Sequence, residues 1–248
     1  MNKLEEYIKK YEDIHSGKSS TVIVENGVAT GEATFPFGDG VELVKKAFIF
    51  IDDLIKQKDR AVTILDYGCG QALHTFDQNY YGHSLRAPKL VGKTIFSFFP
   101  GMIQCYYCYD PAVKRYAIKP SEGTLFDMVI LADVMEHIPE EHVDDVIRDA
   151  VQYCKPDGFV MFTISGNPAW THFSNEDGSP GENAHITQKS LEWWTNKINS
   201  ITRVTTVVMY TNDKIFEKTN GKGNCITVTN NKPSYKVPDA LSRKEIIR

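Results

Sequence analysis

A chain of 248 residues with 42% hydrophobic side chains is long enough to bury a sizeable core, in one large domain or at most two. Its formal net charge of −4 offers no general field for a polyanion, so a nucleic-acid partner is disfavoured. No apolar run approaches the roughly 20 residues of a membrane span, and Met1 to Lys10 is a charged, helix-like start and not a secretory leader, which together predict a cytoplasmic protein with no membrane partner. The five cysteines, Cys69, Cys105, Cys108, Cys154 and Cys225, are odd in number and several lie in apolar segments, which fits reduced thiols. Cys105 and Cys108 form a C-x-x-C, but in a strand they face opposite sides and no second pair exists, so no metal site is expected.

In chain order, Leu4, Tyr7, Ile8, Tyr11 and Ile14 recur at helical spacing and predict an amphipathic helix that Ser16-Gly17 ends. Thr21 to Glu25 suits a short strand and Gly27 to Gly40 a loop, whose Phe35-Pro36-Phe37 serves either as a core anchor or as a lid. Val41 to Lys56 carries Val44, Ala47, Phe48, Ile51, Leu54 and Ile55 on one face and predicts a helix. Ile64-Leu65-Asp66-Tyr67-Gly68-Cys69-Gly70 then reads as a strand, a tight turn and, through Gln71 to His74, a helix start. Glycine admits positive φ and lets a ligand approach the chain beside the open N–H groups of a first helical turn.

Beyond His74 the chain is irregular through Lys89, as expected of a surface insertion. Strands are predicted at Ile103 to Tyr109 and Phe126 to Leu131, then a helix from Ala132 through about Tyr153, and a strand from Phe159 to Ser165. Gly166 to Asn183 reads as loop, Ser190 to Ile198 as helix, and Val204 to Tyr210 with Cys225 to Thr229 as paired edge strands. Strands alternating with helices predict a parallel α/β sheet. The reading is of one domain over 1–248, with 1–60 as an N-terminal helical extension or lid and 232–248 as a loosely attached tail.

Five segments occur here in a set order: Ile64-Leu65-Asp66-Tyr67-Gly68-Cys69-Gly70, Tyr109-Asp110, Phe126-Asp127-Met128-Val129-Ile130, Asp133-Val134-Met135-Glu136-His137-Ile138 and Lys155-Pro156-Asp157-Gly158-Phe159. In that order they resemble class I S-adenosylmethionine-dependent methyltransferases. Asn183-Ala184-His185-Ile186-Thr187 followed by Trp193-Trp194 resembles a subgroup of largely uncharacterised methyltransferase-like proteins from phages and bacteria. The resemblance covers about residues 60 to 200 and implies a Rossmann-like, mostly parallel seven-stranded sheet with helices on both faces. It places S-adenosyl-L-methionine across the carboxyl ends of the strands.

Carried onto this sequence, the resemblance makes Asp66 and the backbone of Gly68, Cys69 and Gly70 the cradle of the methionine end, with Asp110 taking both ribose hydroxyls. Asp66 reads equally as a turn-capping acid, and Asp110 as an Asp-Pro turn starter. The third small position of the glycine loop is Ala72, expected to adopt an ordinary negative φ. Asp110 lies 40 positions after Gly70, so an insertion must loop out between them. Pro111 to Phe126 is too short for a full further βα unit, so the third unit is predicted to be truncated and adenine loses its usual acid or amide partner. Glu122 or Asp133 are the candidates to replace it.

Methyl transfer is an in-line displacement, needing a base only where the nucleophile must lose a proton. The candidate catalytic residues are His185, His137 and Glu136, with Asp133 as a further acid at the same strand end. Glu136 and His137 read also as a helix-start acid and a packed imidazole, and His185 as a structural histidine. The expected partner is a small-molecule or sugar-like acceptor. The alternatives are a non-catalytic binding or scaffold protein on the same fold, and an enzyme that degrades the cofactor.

Overall fold

The computed structural model of the chain describes residues 2–33, 40–72, 94–211 and 225–229. The aromatic loop before Gly40, the helix start beyond Ala72, the Tyr80 to Lys89 insertion and the tail from Lys232 lie outside the described residues.

The first helix, α1 (Lys3–His15), opens on a capping box in which Asn2 and Glu5 exchange side-chain and backbone hydrogen bonds. It is followed by β1 (Thr21–Glu25) and β2 (Val28–Ala33), an antiparallel pair. Asn26 and Gly27, with φ of 52° and 78°, form its two-residue turn, whose twist matches that of the flanking strands. The expected loop from Gly27 is therefore a strand over its first part, and the N-terminal region is not purely helical. α2 (Gly40–Lys58) leads into β3 (Val62–Tyr67), and α3 (Ile95–Phe98) into β4 (Ile103–Tyr109) and β5 (Phe126–Ala132).

The single helix expected from Ala132 is instead two 3₁₀ turns, Met135–His137 and Glu140–His142, before a short α4 (Val143–Val151). Pro139 accounts for the interruption, since the residue before proline is pushed out of the helical region and Ile138 has ψ 129°. β6 (Cys154–Ser165) begins five residues earlier than the apolar run suggests. The segment read as a loop after it forms the hairpin β7 (Thr171–Ser174) and β8 (Pro180–Asn183). α5 (Leu191–Ile201), capped by Ser190, β9 (Thr205–Thr211) and β10 (Cys225–Thr229) complete the order.

Two sheets result. The larger has the order β10-β9-β6-β5-β3-β4, parallel except for β10 at one edge, and the smaller is an antiparallel β2-β1-β7-β8. Among the described residues the large sheet has six strands and not seven. Only the 3₁₀ turn Lys114–Tyr116 lies between β4 and β5, and among the described residues β4 is the sheet edge. Alternate residues divide between two cores. Ile64, Met128, Ile130, Met161 and Val207 pack with Phe50, Ile51 and Leu54 of α2, while Leu65, Val129, Leu131, Phe162 and Val208 pack with Val146 and Ile147 of α4 and Trp194 and Ile198 of α5. Helices therefore cover both faces, which is why these strands read as continuous apolar runs. Among the described residues no helix is long and apolar enough to cross a membrane.

An ion cluster closes the amino end of the sheet. The buried Asp127 carboxylate takes a bidentate pair from Arg60 at 2.6 and 3.0 Å, the Thr63 amide at 2.9 Å and Lys155 at 3.0 Å. Burial works against its ionisation, but these partners outweigh it and hold its carboxyl well below the usual carboxylate range.

Candidate functional site

After β3 the chain moves to β4 on one side, then crosses back to β5 on the other. The strand order reverses around β3, and the carboxyl ends of β3 and β5 therefore border the crevice where open α/β sheets take ligands. The glycine turn stands at that point. Gly68 has φ +80°, and a Cβ on it would come within 2.5 Å of a Val134 methyl, so only glycine permits this approach of β3's end to the segment after β5. Gly70 is at φ +56°, and among the described residues a Cβ on it would meet nothing within 4 Å. Ala72 adopts φ 50°, contrary to the expectation of an ordinary backbone there. The turn thus holds a left-handed residue without glycine's freedom, held by the bond from the Ala72 amide to the Cys69 carbonyl and by burial of the methyl group.

The amides of the turn are not presented to solvent as the sequence suggests. Gly68 and Cys69 both donate to the Tyr109 carbonyl, at 2.7 and 3.2 Å, and Gly70 donates to Asp110 Oδ2 at 2.9 Å. These bonds clamp the turn to the end of β4. What the turn offers a ligand is the bare Cα surface at Gly70.

Three acids lie at adjacent strand ends. Asp66, in register with Cys108 on β4 and Ile130 on β5, is buried and accepts from the Tyr106 hydroxyl at 3.0 Å. Asp110 is 9% exposed, with Oδ1 accepting the Ala112 amide at 2.8 Å and Oδ2 the Gly70 amide. Burial raises its carboxyl above the ordinary value, against the lowering effect of those two amides. Each of its oxygens has capacity for one more donor. Asp133, beyond β5, is exposed and has φ 52°. Its amide lies 3.0 Å from both the carbonyl and the hydroxyl oxygen of Thr163, whose hydroxyl donates to Asp133 Oδ1 at 2.9 Å.

Two imidazoles meet between the segments that follow β5 and β8. His137 and His185 stack edge to face with centroids 4.8 Å apart. Nδ1 of His185 lies 2.6 Å from the Asn167 carbonyl, so it carries the proton and leaves Nε2 as the basic nitrogen. Nδ1 of His137 faces the Ala184 carbonyl at 2.8 Å and the Tyr11 hydroxyl at 2.7 Å, which assigns the same tautomer. Burial, and then the neighbouring His185, push His137 down to about 3. Burial also lowers His185, but the Asn167 carbonyl and the Asp133 charge act in the opposite direction. Glu136 is fully buried, with Oε1 accepting the Ser165 amide at 2.6 Å, while its carbonyl takes the Thr187 amide.

The structure therefore gathers the glycine turn with Asp66 and Asp110 around β3 and β4, and His137 with His185 on the segments after β5 and β8, while Asp133 is bonded to Thr163 of β6. Glu136, next to His137 in the chain, is buried and bonded to the backbone. Sequence reading missed Tyr106, Thr163 and Tyr11. Each stands within an apolar periodicity and carries its hydroxyl to an element distant in sequence. The end of α1 also reaches the turn, where Gln71 Nε2 lies 3.5 Å from His15 Nδ1. Asn183 ties the small sheet to the site, accepting the His185 and Ala169 amides, both at 2.9 Å. Among the described residues no group of three or more metal-ligating side chains is assembled.

No family model and no curated protein matches the chain. Among solved structures it is similar to an O-methyltransferase family protein from Burkholderia thailandensis, with 15% identity over 67% of this chain and 52% of that one and a TM-score of 0.36. The chain spans about half the length of that structure.

Proposed function

We propose that the protein is an S-adenosylmethionine-dependent methyltransferase acting on a small-molecule or sugar-like acceptor. The observation that carries this reading is the bond from the Gly70 amide to Asp110. It draws the end of β4 against the glycine turn at the sheet's switch point, with Asp66 on the neighbouring strand. The residues suit such a ligand in type. Asp66 offers a carboxylate to an ammonium group, and Asp110 offers two oxygens to a vicinal diol. The open face of Gly70 admits close approach of a ligand to the chain. When bound, the cosubstrate supplies an electrophilic methyl group on a sulfonium. The acids at the strand ends offset its positive charge, and His137 and His185 are the candidates to take a proton from an acceptor.

A second reading, a binding protein on the same fold, is favoured by one observation. The amides expected to cradle the methionine end are already bonded within the protein. Calorimetry with S-adenosylhomocysteine tests both. The methyltransferase reading expects binding that weakens by about 1 to 3 kcal/mol in Asp66→Ala and in Asp110→Ala, the range for a lost charge-assisted bond. Absence of binding to wild-type protein removes the reading, and binding without methyl transfer to any acceptor favours the second.

A further inference from the structure

We propose that Trp170 is a stacking platform for a planar aromatic ring, carried on the segment that holds His185. The inference rests on the methyl-transfer reading in one respect, that the ring belongs to the acceptor.

Three tryptophans occur in the chain, and packing accounts for two of them. Trp194 is fully buried in the core that α4 and α5 share with the sheet, and Trp193 lies edge to face on it with Lys189 and Lys197 over its ring. Trp170 differs. It is 74% exposed and has no ring or cation partner among the described residues. A single exposed apolar side chain needs no explanation by itself, but the backbone under this one is fixed. The Trp170 carbonyl accepts the Val24 amide at 2.8 Å and the Thr171 carbonyl the Ala184 amide at 3.0 Å. Ala169 bonds to Asn183 in both directions, its amide donating to Oδ1 at 2.9 Å and its carbonyl accepting from Nδ2 at 2.8 Å. A large ring on a fixed backbone presents contact area at little ordering cost.

The same bonds join the indole to the imidazole. Asn183 Oδ1 takes the amides of Ala169 and His185 alike, each at 2.9 Å, and Nδ1 of His185 lies 2.6 Å from the Asn167 carbonyl, three residues before Trp170. The Val24 bond continues the β1–β7 ladder through Trp170, so alternation places Trp170 on the face that carries His172. Asn183 is opposite His172 in the β7–β8 register, and their side chains are bonded at 3.1 Å. The other face is taken, since Phe173 there packs against Tyr7 and Tyr11 of α1.

The polar groups of the Trp170 face select the ring. Asn183 uses both lone pairs of Oδ1 on the Ala169 and His185 amides, and both hydrogens of Nδ2 on Ala169 and His172. His172 is bonded at both nitrogens, with Nδ1 on the Gly181 carbonyl at 2.8 Å. A sugar stacked on an indole needs partners for the hydroxyls around its edge, and these two side chains have none to give. A planar aromatic ring needs only the indole, in offset or edge-to-face contact. Nε2 of His185 lies outside these bonds and suits one hydroxyl on such a ring. The ligand class is therefore an aromatic hydroxyl compound.

NMR of the indole N–H and histidine ring signals in the ligand-free protein tests the platform, with Trp170 identified by its loss in Trp170→Leu and His185 by its loss in His185→Gln. The probes are para-cresol, cyclohexanol, which carries a hydroxyl on a saturated ring, and methyl β-glucopyranoside. Para-cresol should shift the Trp170 and His185 signals with one common midpoint, and the other two should shift neither. Followed at His185, Trp170→Leu should weaken para-cresol binding about tenfold, and Trp170→Phe, which keeps an aromatic face, much less. Both variants should keep the wild-type melting temperature, because the side chain is exposed. No shift at Trp170 overturns the platform, and a shift there without one at His185 overturns its link to the site. An equal response to cyclohexanol or the glucoside, or equal weakening in Trp170→Leu and Trp170→Phe, overturns the aromatic selection. Para-cresol binding in a protein that fails to bind S-adenosylhomocysteine supports the platform and removes the acceptor assignment, so the two readings fail separately.

Discussion

One added methyl group at Gly68 probes how the turn is built. A Cβ there lies 2.5 Å from one Val134 methyl and 3.1 Å from the other, on a backbone at φ +80°. Two costs follow: about 1 to 2 kcal/mol for a side chain in the left-handed region, and about 1 to 3 kcal/mol for forcing Val134 aside in a packed region. Gly70 has φ +56° but, among the described residues, nothing within 4 Å of an added Cβ, so alanine there meets only the first. Urea unfolding should show Gly68→Ala destabilised by about 2 to 5 kcal/mol and Gly70→Ala by about 1 to 2 kcal/mol, with unchanged denaturant slopes. Adding Val134→Ala to Gly68→Ala should recover the steric share, a coupling of about 1 to 3 kcal/mol between neighbours. Equal losses at the two glycines, or strict additivity with Val134→Ala, would refute the close approach of the turn to the segment after β5.

Asp127→Ala should cost about 2 to 3 kcal/mol by thermal or urea unfolding, less than a fully buried pair because Arg60 is half exposed. Since the Asp127 carboxyl is depressed in the folded state, its stabilisation is present above the usual carboxylate range and is lost as pH falls through that range and below it. A flatter acid limb in Asp127→Ala is the expected mark, and an unchanged limb counts against the cluster. His137, pushed down to about 3, is neutral when folded, so its contribution is present above the ordinary histidine value near 6.5 and is lost as pH falls towards 3. Between pH 7 and 5 that loss is about 2 kcal/mol, and His137→Gln should lose correspondingly less stability over the same interval. His185→Ala should leave S-adenosylhomocysteine affinity nearly intact while lowering turnover by about 10² to 10⁴; a joint fall in melting temperature and affinity would make it a packing residue.

The alternation of buried strands with amphipathic helices was legible from local pattern alone, because strands covered on both faces must be apolar throughout and helices on one stripe. Ile64 to Gly70 announced its strand and turn, and the short Pro111 to Phe126 segment its missing unit, because chain length bounds what can be built. The Asn26-Gly27 hairpin and the break at Pro139 were also written locally, in a turn dipeptide and a helix-breaking proline, yet the loop and helix expectations passed over them. Other features had no local sign. That the turn's amides are bonded by Tyr109 and Asp110, that Ala72 is left-handed, and that Tyr11, Tyr106 and Thr163 bring hydroxyls to His137, Asp66 and Asp133 depend on partners tens of residues away. A hydrogen bond across strands or between two sheets is set by register and packing. Residue type and spacing specify which elements form and which face they bury, and only the assembled sheet decides which polar atoms meet at its carboxyl edge.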